Sequence, residues 1–429
     1  MTSPLRSRDA LTVEQVPRSV DAVLASDSVR TVFQPIVDLV SGEVVAHEAL
    51  SRGPAGPLET PGALFDAARK SGRLAELDAA CRVAAFRSAM AHGLVAPLAV
   101  FVNVEPAVLD SAPLDLLAIA DAAPDELRIV FEITERAVSA RPAELLRTVE
   151  RVREAGWGLA LDDVGVEADS LAFMELLRPD VVKLDMSLVQ QRPDQRTAEV
   201  MHAVNAYAER SGARVLAEGI ETDAHLSNAL ALGATLGQGW KFGRPVSDPD
   251  ITPPQQGLPV RASGVTRTGE LVGSPFAALP DGTGLLRAPK RLLIELSKQL
   301  EREAIRLGET CVVAAAFQEA RHFTESTVMR YQELSKRTAF VCALGEGLPE
   351  DPLPGVRGAT LDLDDPVRGE WDIVVLSPHF CTALLARDLG DEGPDMDRMF
   401  EYALTYRRDV VVDAAQALLA RLAPRSTPI

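Results

Sequence analysis

The segment GLALDDVG, residues 158–165, is an apolar run that ends on two adjacent aspartates, Asp162 and Asp163. Its length and composition predict a buried strand. Two neighbouring carboxylates at the end of such a strand need a cation, strong hydrogen bonds or an open face to water, because burial penalises charge. We therefore expect this strand to end in a polar site.

Similar short apolar segments recur through residues 31–246, and helix-like amphipathic stretches lie between most of them. The strand candidates are TVFQPIVDL, EVVAHEAL, LAVFVNV, LRIVFEIT, GLALDDVG, DVVKLD, RVLAEGI and ATLGQGW. Two of the intervening helical stretches finish on Gly156 and Gly233, which are helix-stop signals. This alternation predicts an α/β fold, a (β/α)8-type barrel, although a doubly wound open sheet fits the same periodicity.

Nearly every one of these strands carries a polar residue at or close to its C-terminal end. They are Glu48, Asn103, Glu132, Asp162, Asp163, Lys183, Glu218 and Gln238. In a parallel barrel these ends meet on one rim. Each side chain alone also has an ordinary explanation. A glutamate at a strand end is a solvated loop residue or a helix N-cap partner, Lys183 could pair with Asp185, and Asn103 could form a turn. Together, five acids and two amides with no histidine or cysteine favour hard cations, Mg²⁺ or Mn²⁺, and a two-metal site.

The composition of the chain limits its partners and its compartment. The 429 residues carry a net charge of −18, which argues against general binding to nucleic acid or anionic membranes. The first 30 residues lack the apolar core of a signal peptide, and no membrane-spanning apolar run follows. The four cysteines, at 81, 311, 342 and 381, are widely spaced and are expected to be buried free thiols. We expect a cytoplasmic protein.

Changes in composition predict the domain organisation. Residues 1–30 form an N-terminal segment, and 31–246 form the barrel. Residues 247–287, rich in Pro, Gly, Ser and Thr, read as a linker. Residues 288–429 predict a second α/β domain, with the strand-like segments TCVVAAAF, TAFVCAL and WDIVVLS interleaved with helices.

The ordered motifs of the first domain resemble those of one family. FQPIVDL, HEALSR, VFVNV, FEITE, LALDD, VVKLD, LAEGIET and LGQGWKFGRP occur in the order and spacing of EAL-domain proteins. That family comprises cyclic-di-GMP phosphodiesterases and their non-catalytic relatives. The resemblance implies a modified TIM barrel with one antiparallel strand, hydrolysis of cyclic di-GMP to linear pGpG with two Mg²⁺ or Mn²⁺ ions, and a homodimer through the barrel.

The resemblance also implies a role for individual residues. The positions of the metal ligands are Glu48, Asn103, Glu132, Asp162 and Asp163. Lys183 matches the lysine that orients the nucleophilic water, with Glu218 and Gln238 beside it, and Glu135 matches the glutamate that steadies the loop after the aspartates. Arg52 and Gln34 match substrate-binding positions; a guanidinium suits phosphate or a guanine edge, although a surface ion pair also explains Arg52.

One stretch departs from the family pattern. Family enzymes usually continue DFGTGYSSL after the aspartates, whereas residues 163–171 read DVGVEADSL. The loop has lost its Phe, one Gly, its Tyr and one Ser, and has gained two acids. This difference bears on turnover more than on ligand binding, so a receptor that binds cyclic di-GMP without hydrolysing it is the alternative function.

The C-terminal half resembles the DICT domain, a sensory module attached to cyclic-di-GMP enzymes and signalling proteins. The segments that carry this resemblance are AAAFQEARHFTESTVMRYQEL, residues 314–334, and WDIVVLSPHFCTALLARDL, residues 371–389. Arg321, His322 and Arg330 are candidates for a ligand pocket, with a helix-surface role as the alternative. The ligand or partner of this domain is not implied.

Overall fold

The computed structural model describes residues 18–105, 107, 127–134, 140–166, 169–259 and 273–424. The first eight strands close into a barrel in the order β1 to β8. They are β1 (Arg30–Asp38), β2 (Val44–Arg52), β3 (Ala99–Asn103), β4 (Arg128–Thr134), β5 (Gly158–Val164), β6 (Val181–Leu184), β7 (Arg214–Ala217) and β8 (Leu236–Gln238). Strand β1 runs antiparallel to both β2 and β8, and the other neighbours are parallel. The barrel and its antiparallel strand are confirmed, and the open sheet is excluded.

Helices connect the strands and cover the outside of the barrel. They are α1 (Val20–Ala25), α2 (Pro61–Ser71), α3 (Leu74–Ala91), α4 (Pro142–Glu154), α5 (Asp169–Leu177), α6 (Met186–Gln190), α7 (Gln195–Ser211) and α8 (Asp223–Ala231). The predicted stops after α4 and α8 are confirmed, since Gly156 and Gly233 follow them with φ of 73° and 88°. Glycine adopts this left-handed conformation without a steric penalty.

The inside of the barrel consists of two layers that follow from strand periodicity. The lower layer is apolar: Ile36, Ala46, Phe101, Val130, Ala160, Val181, Leu216 and Leu236, all fully buried. Because alternate residues of a strand face the same side, the residue two positions further along also points inward. On every parallel strand that residue is polar. The apolar layer is therefore the floor of a polar layer at the carboxyl ends of the strands.

The second unit is a seven-stranded sheet in the order β12-β11-β10-β13-β14-β15-β9. Its strands are β9 (Leu286–Pro289), β10 (Val312–Glu319), β11 (Phe340–Glu346), β12 (Val356–Ala359), β13 (Glu370–Leu376), β14 (Cys381–Asp388) and β15 (Met399–Thr405). Its helices are α9 (Lys290–Leu307), α10 (Glu325–Arg337) and α11 (Arg408–Leu419). The strands β10, β11 and β13 are the three predicted segments. Strand β14 was missed because its six buried residues Cys381–Ala386 show no polar alternation.

The two units share one hydrophobic core. One face of the sheet packs on α9 and α10, and the other packs, with α11, against the barrel. At this contact the rings of Phe173 in α5 and Phe340 in β11 meet edge to face, with centroids 5.7 Å apart. The Gln416 amide of α11 donates to the Leu176 carbonyl at 2.7 Å. Helix α5 is thus held between the barrel and the second sheet.

Two further expectations can be compared with the structure. All four cysteines lie within the described residues, and each is a buried free thiol, as expected. Among the helices of the described ranges, none combines the length and the apolar character needed to traverse a bilayer.

Candidate functional site

The polar layer gathers side chains from seven strands. Asn103, Asp162 and Gln238 lie near or at the carboxyl ends of their strands, as predicted. Glu48 differs, because it lies in the middle of the nine-residue β2, paired with Gln34 of β1. The antiparallel β1–β2 hairpin extends beyond the polar layer, so β2 continues past Glu48 to Arg52.

Lys183 is at the centre of the site. Its Nζ lies 2.6 Å from Glu132 Oε1, 2.9 Å from Asp162 Oδ1 and 2.8 Å from Glu218 Oε1. Glu48 Oε1 is further away, at 3.9 Å. The lysine side chain is 1% exposed, so these carboxylates replace water as the partners of its ammonium group.

Two amides orient Glu48 from opposite sides. Asn103 Nδ2 donates to Glu48 Oε1 at 3.0 Å, and Gln238 Nε2 donates to Glu48 Oε2 at 2.6 Å. Gln34 continues this network, since its Oε1 accepts from Gln238 at 3.2 Å and its Nε2 donates to the Gly243 carbonyl at 3.1 Å. The position of Glu48 is therefore fixed by hydrogen bonds to both of its oxygens.

Burial and mutual repulsion shift the titration of these groups. The pKa of Glu132 is raised well above its usual range by burial and by the charge of Glu48. Burial also raises the pKa of Glu218 to about 7, even with Lys183 beside it. The pKa of Lys183 is raised because the surrounding carboxylates outweigh the effect of burial. The pKa of Glu48 is lowered, since Lys183 and the two amides outweigh its burial.

The donor set fits a divalent cation. Asp162, Asp163 and Glu218 each place one carboxylate oxygen within 4.8 Å of the others. Glu132 Oε2 is buried and has no hydrogen-bond partner among the described residues. An unpartnered buried carboxylate oxygen beside three clustered carboxylates suits a hard cation such as Mg²⁺ or Mn²⁺.

Asp163 has an unusual backbone conformation. Its φ is 57°, in the left-handed region that residues with a side chain rarely adopt. Its N–H donates to Asp162 Oδ1 at 3.0 Å, and its carbonyl accepts from the Val166 N–H at 3.2 Å. The chain therefore turns immediately after the two aspartates. Residues 167 and 168 of the divergent loop lie outside the described residues.

The remaining predicted site residues have different outcomes. Arg52 ends β2 four residues after Glu48, on the face that points into the barrel, and its Nη1 donates to the Ser51 carbonyl at 2.9 Å. Gln34 lies within the polar network described above. Glu135 falls outside the described residues. The roles of these residues stay predictions.

Sequence reasoning missed one support of the site. Asp78 of α3 is 2% exposed, and its Oδ1 accepts from the Glu105 N–H at 3.1 Å, just beyond Asn103. Its Oδ2 lies 2.9 Å from Arg82 Nη2. An acid and an arginine four residues apart in this helix are the only signal that could have found this pair.

Comparison with known proteins now identifies the family. The EAL-domain profile matches residues 17–245, more than half of the chain. The chain belongs to the EAL-domain family. The sensory domain of diguanylate cyclases and two-component systems, DICT, matches residues 277–389. The EAL match covers the barrel, and the DICT match covers the second unit from β9 to β14.

Curated relatives with EAL domains include enzymes named for cyclic di-GMP. The cyclic di-GMP phosphodiesterase NbdA of Pseudomonas aeruginosa is 31% identical over 243 residues, covering 54% of this chain and 31% of NbdA. The cyclic di-GMP phosphodiesterase RocR of the same organism is 35% identical over 121 residues, covering 28% of this chain and 31% of RocR. This chain therefore spans about a third of the length of these relatives.

Solved structures are similar to about half of this chain. BlrP1 of Klebsiella pneumoniae, in a complex with manganese and cyclic di-GMP, is 27% identical, with a TM-score of 0.46, over 51% of this chain and 56% of that chain. The EAL domain of FimX from Pseudomonas aeruginosa, bound to cyclic di-GMP, is 23% identical, with a TM-score of 0.47. The match covers 54% of this chain and 98% of that chain.

The three polar residues singled out in the DICT domain do not converge in the structure. Arg330 pairs with the buried Glu301 of α9 at 2.5 Å. Arg321 pairs with the exposed Glu319 at 2.7 Å, and the His322 ring contacts the Phe317 carbonyl at 2.9 Å. Arg330 thus ties α10 to α9.

Proposed function

We propose that this protein hydrolyses cyclic di-GMP to linear pGpG in a reaction that depends on divalent metal ions. The observation that carries the proposal is the polar layer, in which four carboxylates converge on Lys183 above an apolar floor. Clustering so many buried acids is costly without a cation that uses them. Membership of the EAL family, with relatives named as cyclic di-GMP phosphodiesterases, supports the substrate.

The residues of the site have distinct roles in this proposal. Glu48, Asn103, Glu132, Asp162 and Asp163 would hold two Mg²⁺ or Mn²⁺ ions. Such ions lower the pKa of coordinated water and neutralise phosphate charge.

Around the ions, the other side chains would position the attacking water and the nucleotide. The Lys183 ammonium, which lies between Asp162 and Glu132, would orient the attacking water. Gln238 keeps Glu48 oriented, and Arg52 at the rim offers a guanidinium to the phosphodiester or to a guanine edge. Glu218 and Glu135 complete the predicted catalytic set.

The DICT domain would regulate the barrel through α5. Glu175 of this helix is 9% exposed and pairs with Arg210 of α7 and, at 3.2 Å, with Arg408 of the DICT domain. Arg178, directly after α5, pairs with Asp413 at 2.8 Å. Since α5 follows the turn that carries Asp163, a ligand that shifts the DICT domain would move the connection to the metal centre. We expect the barrel to form a homodimer, as in the family.

The altered loop favours a second candidate function. Residues 163–171 have lost most of the family's loop pattern, so a receptor that binds cyclic di-GMP without turnover is the competing proposal. Both proposals require binding at the same polar layer, and they differ only in product formation.

Calorimetry and product analysis on the same preparation separate the two proposals. Full-length protein is titrated with cyclic di-GMP in the presence of Ca²⁺, and is then incubated with the nucleotide and Mg²⁺ or Mn²⁺. Binding followed by pGpG formation supports the enzyme, and binding without product supports the receptor. Absence of both binding and pGpG formation would overturn the enzyme proposal and the receptor proposal alike. Asp162→Asn should lose pGpG formation, and Asp66→Asn, at an exposed acid, is its matched control.

A further inference from the structure

The turn that follows Asp163 is held by an arginine from another element. Arg196 is the second residue of α7, and its Nε donates to the Gly165 carbonyl at 3.1 Å. Its Nη2 donates to the next carbonyl, that of Val166. One guanidinium therefore binds two successive carbonyls, both within three residues of Asp163. No motif in the sequence pointed to Arg196.

The backbone that Arg196 binds has a specific shape. Gly165 has a φ of 106°, and a Cβ placed on it would lie 2.4 Å from Leu188 Cδ1. Asp163 also adopts a left-handed φ of 57°, so the turn contains two constrained residues, one on each side of Val164. Such a conformation persists only where the surroundings hold it.

Arg196 is itself presented from a fixed position. The side chain of Asp194 accepts from the Thr197 N–H at 2.9 Å, and Thr197 Oγ1 accepts from the Asp194 N–H at 3.2 Å. This reciprocal capping box starts α7 without any contribution from the Arg196 side chain. Replacing Arg196 should therefore leave the start of the helix intact.

We propose that Arg196 is a positioning residue for the metal centre. By binding the carbonyls of Gly165 and Val166, it holds the turn so that the Asp163 carboxylate stays beside Asp162 and Glu218. The inference rests on the proposed function only in taking this cluster as a divalent-cation site. Arg196 acts through the backbone, as groups outside the ligand shell do when they orient metal ligands.

The test compares two variants of Arg196 with a matched control. Arg196→Ala removes both hydrogen bonds, and Arg196→Lys retains the charge with a single donor group. Arg192, an exposed arginine four residues earlier, makes no hydrogen bond or ion pair with the described residues, so Arg192→Ala controls for lost charge. Full-length proteins are titrated with Mn²⁺ by calorimetry, and amide exchange over residues 163–166 is measured without metal.

We expect Arg196→Ala to bind Mn²⁺ about tenfold more weakly than the wild type. Arg196→Lys should lie between the two, and Arg192→Ala should match the wild type. Exchange at residues 163–166 should be faster in Arg196→Ala. The melting temperature of this variant in EDTA should equal that of the wild type, whereas a lower value would indicate a purely stabilising role.

Two results would overturn this role. One is wild-type Mn²⁺ affinity in Arg196→Ala, and the other is unchanged amide exchange over residues 163–166. If the wild type binds no Mn²⁺, the proposed metal centre fails, but the exchange measurement still decides whether Arg196 holds the turn. If Arg196→Ala does not fold, Arg196→Lys carries the same comparison.

Discussion

Lys183 Nζ lies 2.6 Å from Glu132 Oε1, and both side chains are 1% exposed. The contact joins the only lysine of the polar layer to the acid whose other oxygen has no partner in the described structure. Three more carboxylates face the same ammonium group, so a single positive charge offsets a ring of negative ones. Without metal, the lysine is the main counter-charge of the site.

Replacing Lys183 should therefore destabilise the metal-free protein. Lys183→Met leaves the carboxylates without their ammonium partner, and the free energy of unfolding in EDTA should fall by about 3–5 kcal/mol. Mn²⁺ should raise the melting temperature of Lys183→Met more than that of the wild type, because it supplies the missing charge. Thermal denaturation with EDTA and with Mn²⁺ measures both effects.

Lys241→Met is the control for this prediction, since Lys241 pairs with the exposed Asp223 at 2.6 Å. Its melting temperature should stay near that of the wild type. Adding Glu132→Gln to Lys183→Met should recover part of the lost stability, because it removes a buried acid that the neighbouring Glu48 repels. Equal melting temperatures of wild type and Lys183→Met in EDTA would show that the ammonium does not balance the site.

The contact between the domains predicts a change in the dynamics of α5. Arg408→Ala removes the partner of Glu175 in the second unit, a largely buried ion pair at 3.2 Å. Amide exchange in α5 should become at least about tenfold faster, because opening of this helix becomes easier. Mass spectrometry of the exchanged protein checks this.

The neighbouring arginine provides the control for α5. Arg407 is 60% exposed and pairs with Asp409 at 2.7 Å, so Arg407→Ala should leave exchange in α5 unchanged. If both variants speed exchange in α5 equally, the effect arises from lost charge on α11 in general, and the coupling through Glu175 is wrong.

The same interface predicts a dependence on pH. The rings of His202 in α7 and His379 in the DICT domain lie with centroids 4.1 Å apart. The pKa of His379 is lowered from 6.5 by burial and by the nearby His202, Arg210 and Arg408. A lowered histidine pKa stabilises the packed interface above pH 6.5, and this contribution is lost progressively as the pH falls below 6.5.

Exchange in α5 should therefore accelerate as the pH falls from about 6.5 to about 5.5, after correction for the intrinsic rate. Glu175 also faces this cluster and partly offsets the added charge. His379→Gln should reduce the pH dependence. The same pH profile in His379→Gln and in the wild type would assign the effect to other groups.

Sequence could predict the barrel because each strand repeats one pattern. Each strand has an apolar residue, such as Val130, followed two positions later by a polar one, such as Glu132. This pair identifies the inner face of the strand and the end at which the polar layer lies. The positions of Asp162, Lys183 and Gln238 followed from this repeat. Glu48 did not fit the strand-end expectation, since nothing in its local sequence shows that β2 continues past it.

The contacts that hold the site from outside could not be predicted. Arg196 and Asp78 act on backbone groups far away in sequence, and such contacts leave no periodic signal. Strand β14 was missed for a related reason. A short apolar run buried on both faces reads equally well as helix or strand until its neighbours are known.

Chromatographic quantification of pGpG tests most directly whether the polar layer is a metal-dependent phosphodiesterase site. Wild-type protein and Glu132→Gln are each incubated with cyclic di-GMP and Mn²⁺, with protein in excess over nucleotide. We predict conversion to pGpG by the wild type, its loss in EDTA, and a decrease of at least about a hundredfold in Glu132→Gln. Folded wild-type protein that binds the nucleotide and Mn²⁺ but releases no pGpG would contradict the proposed activity.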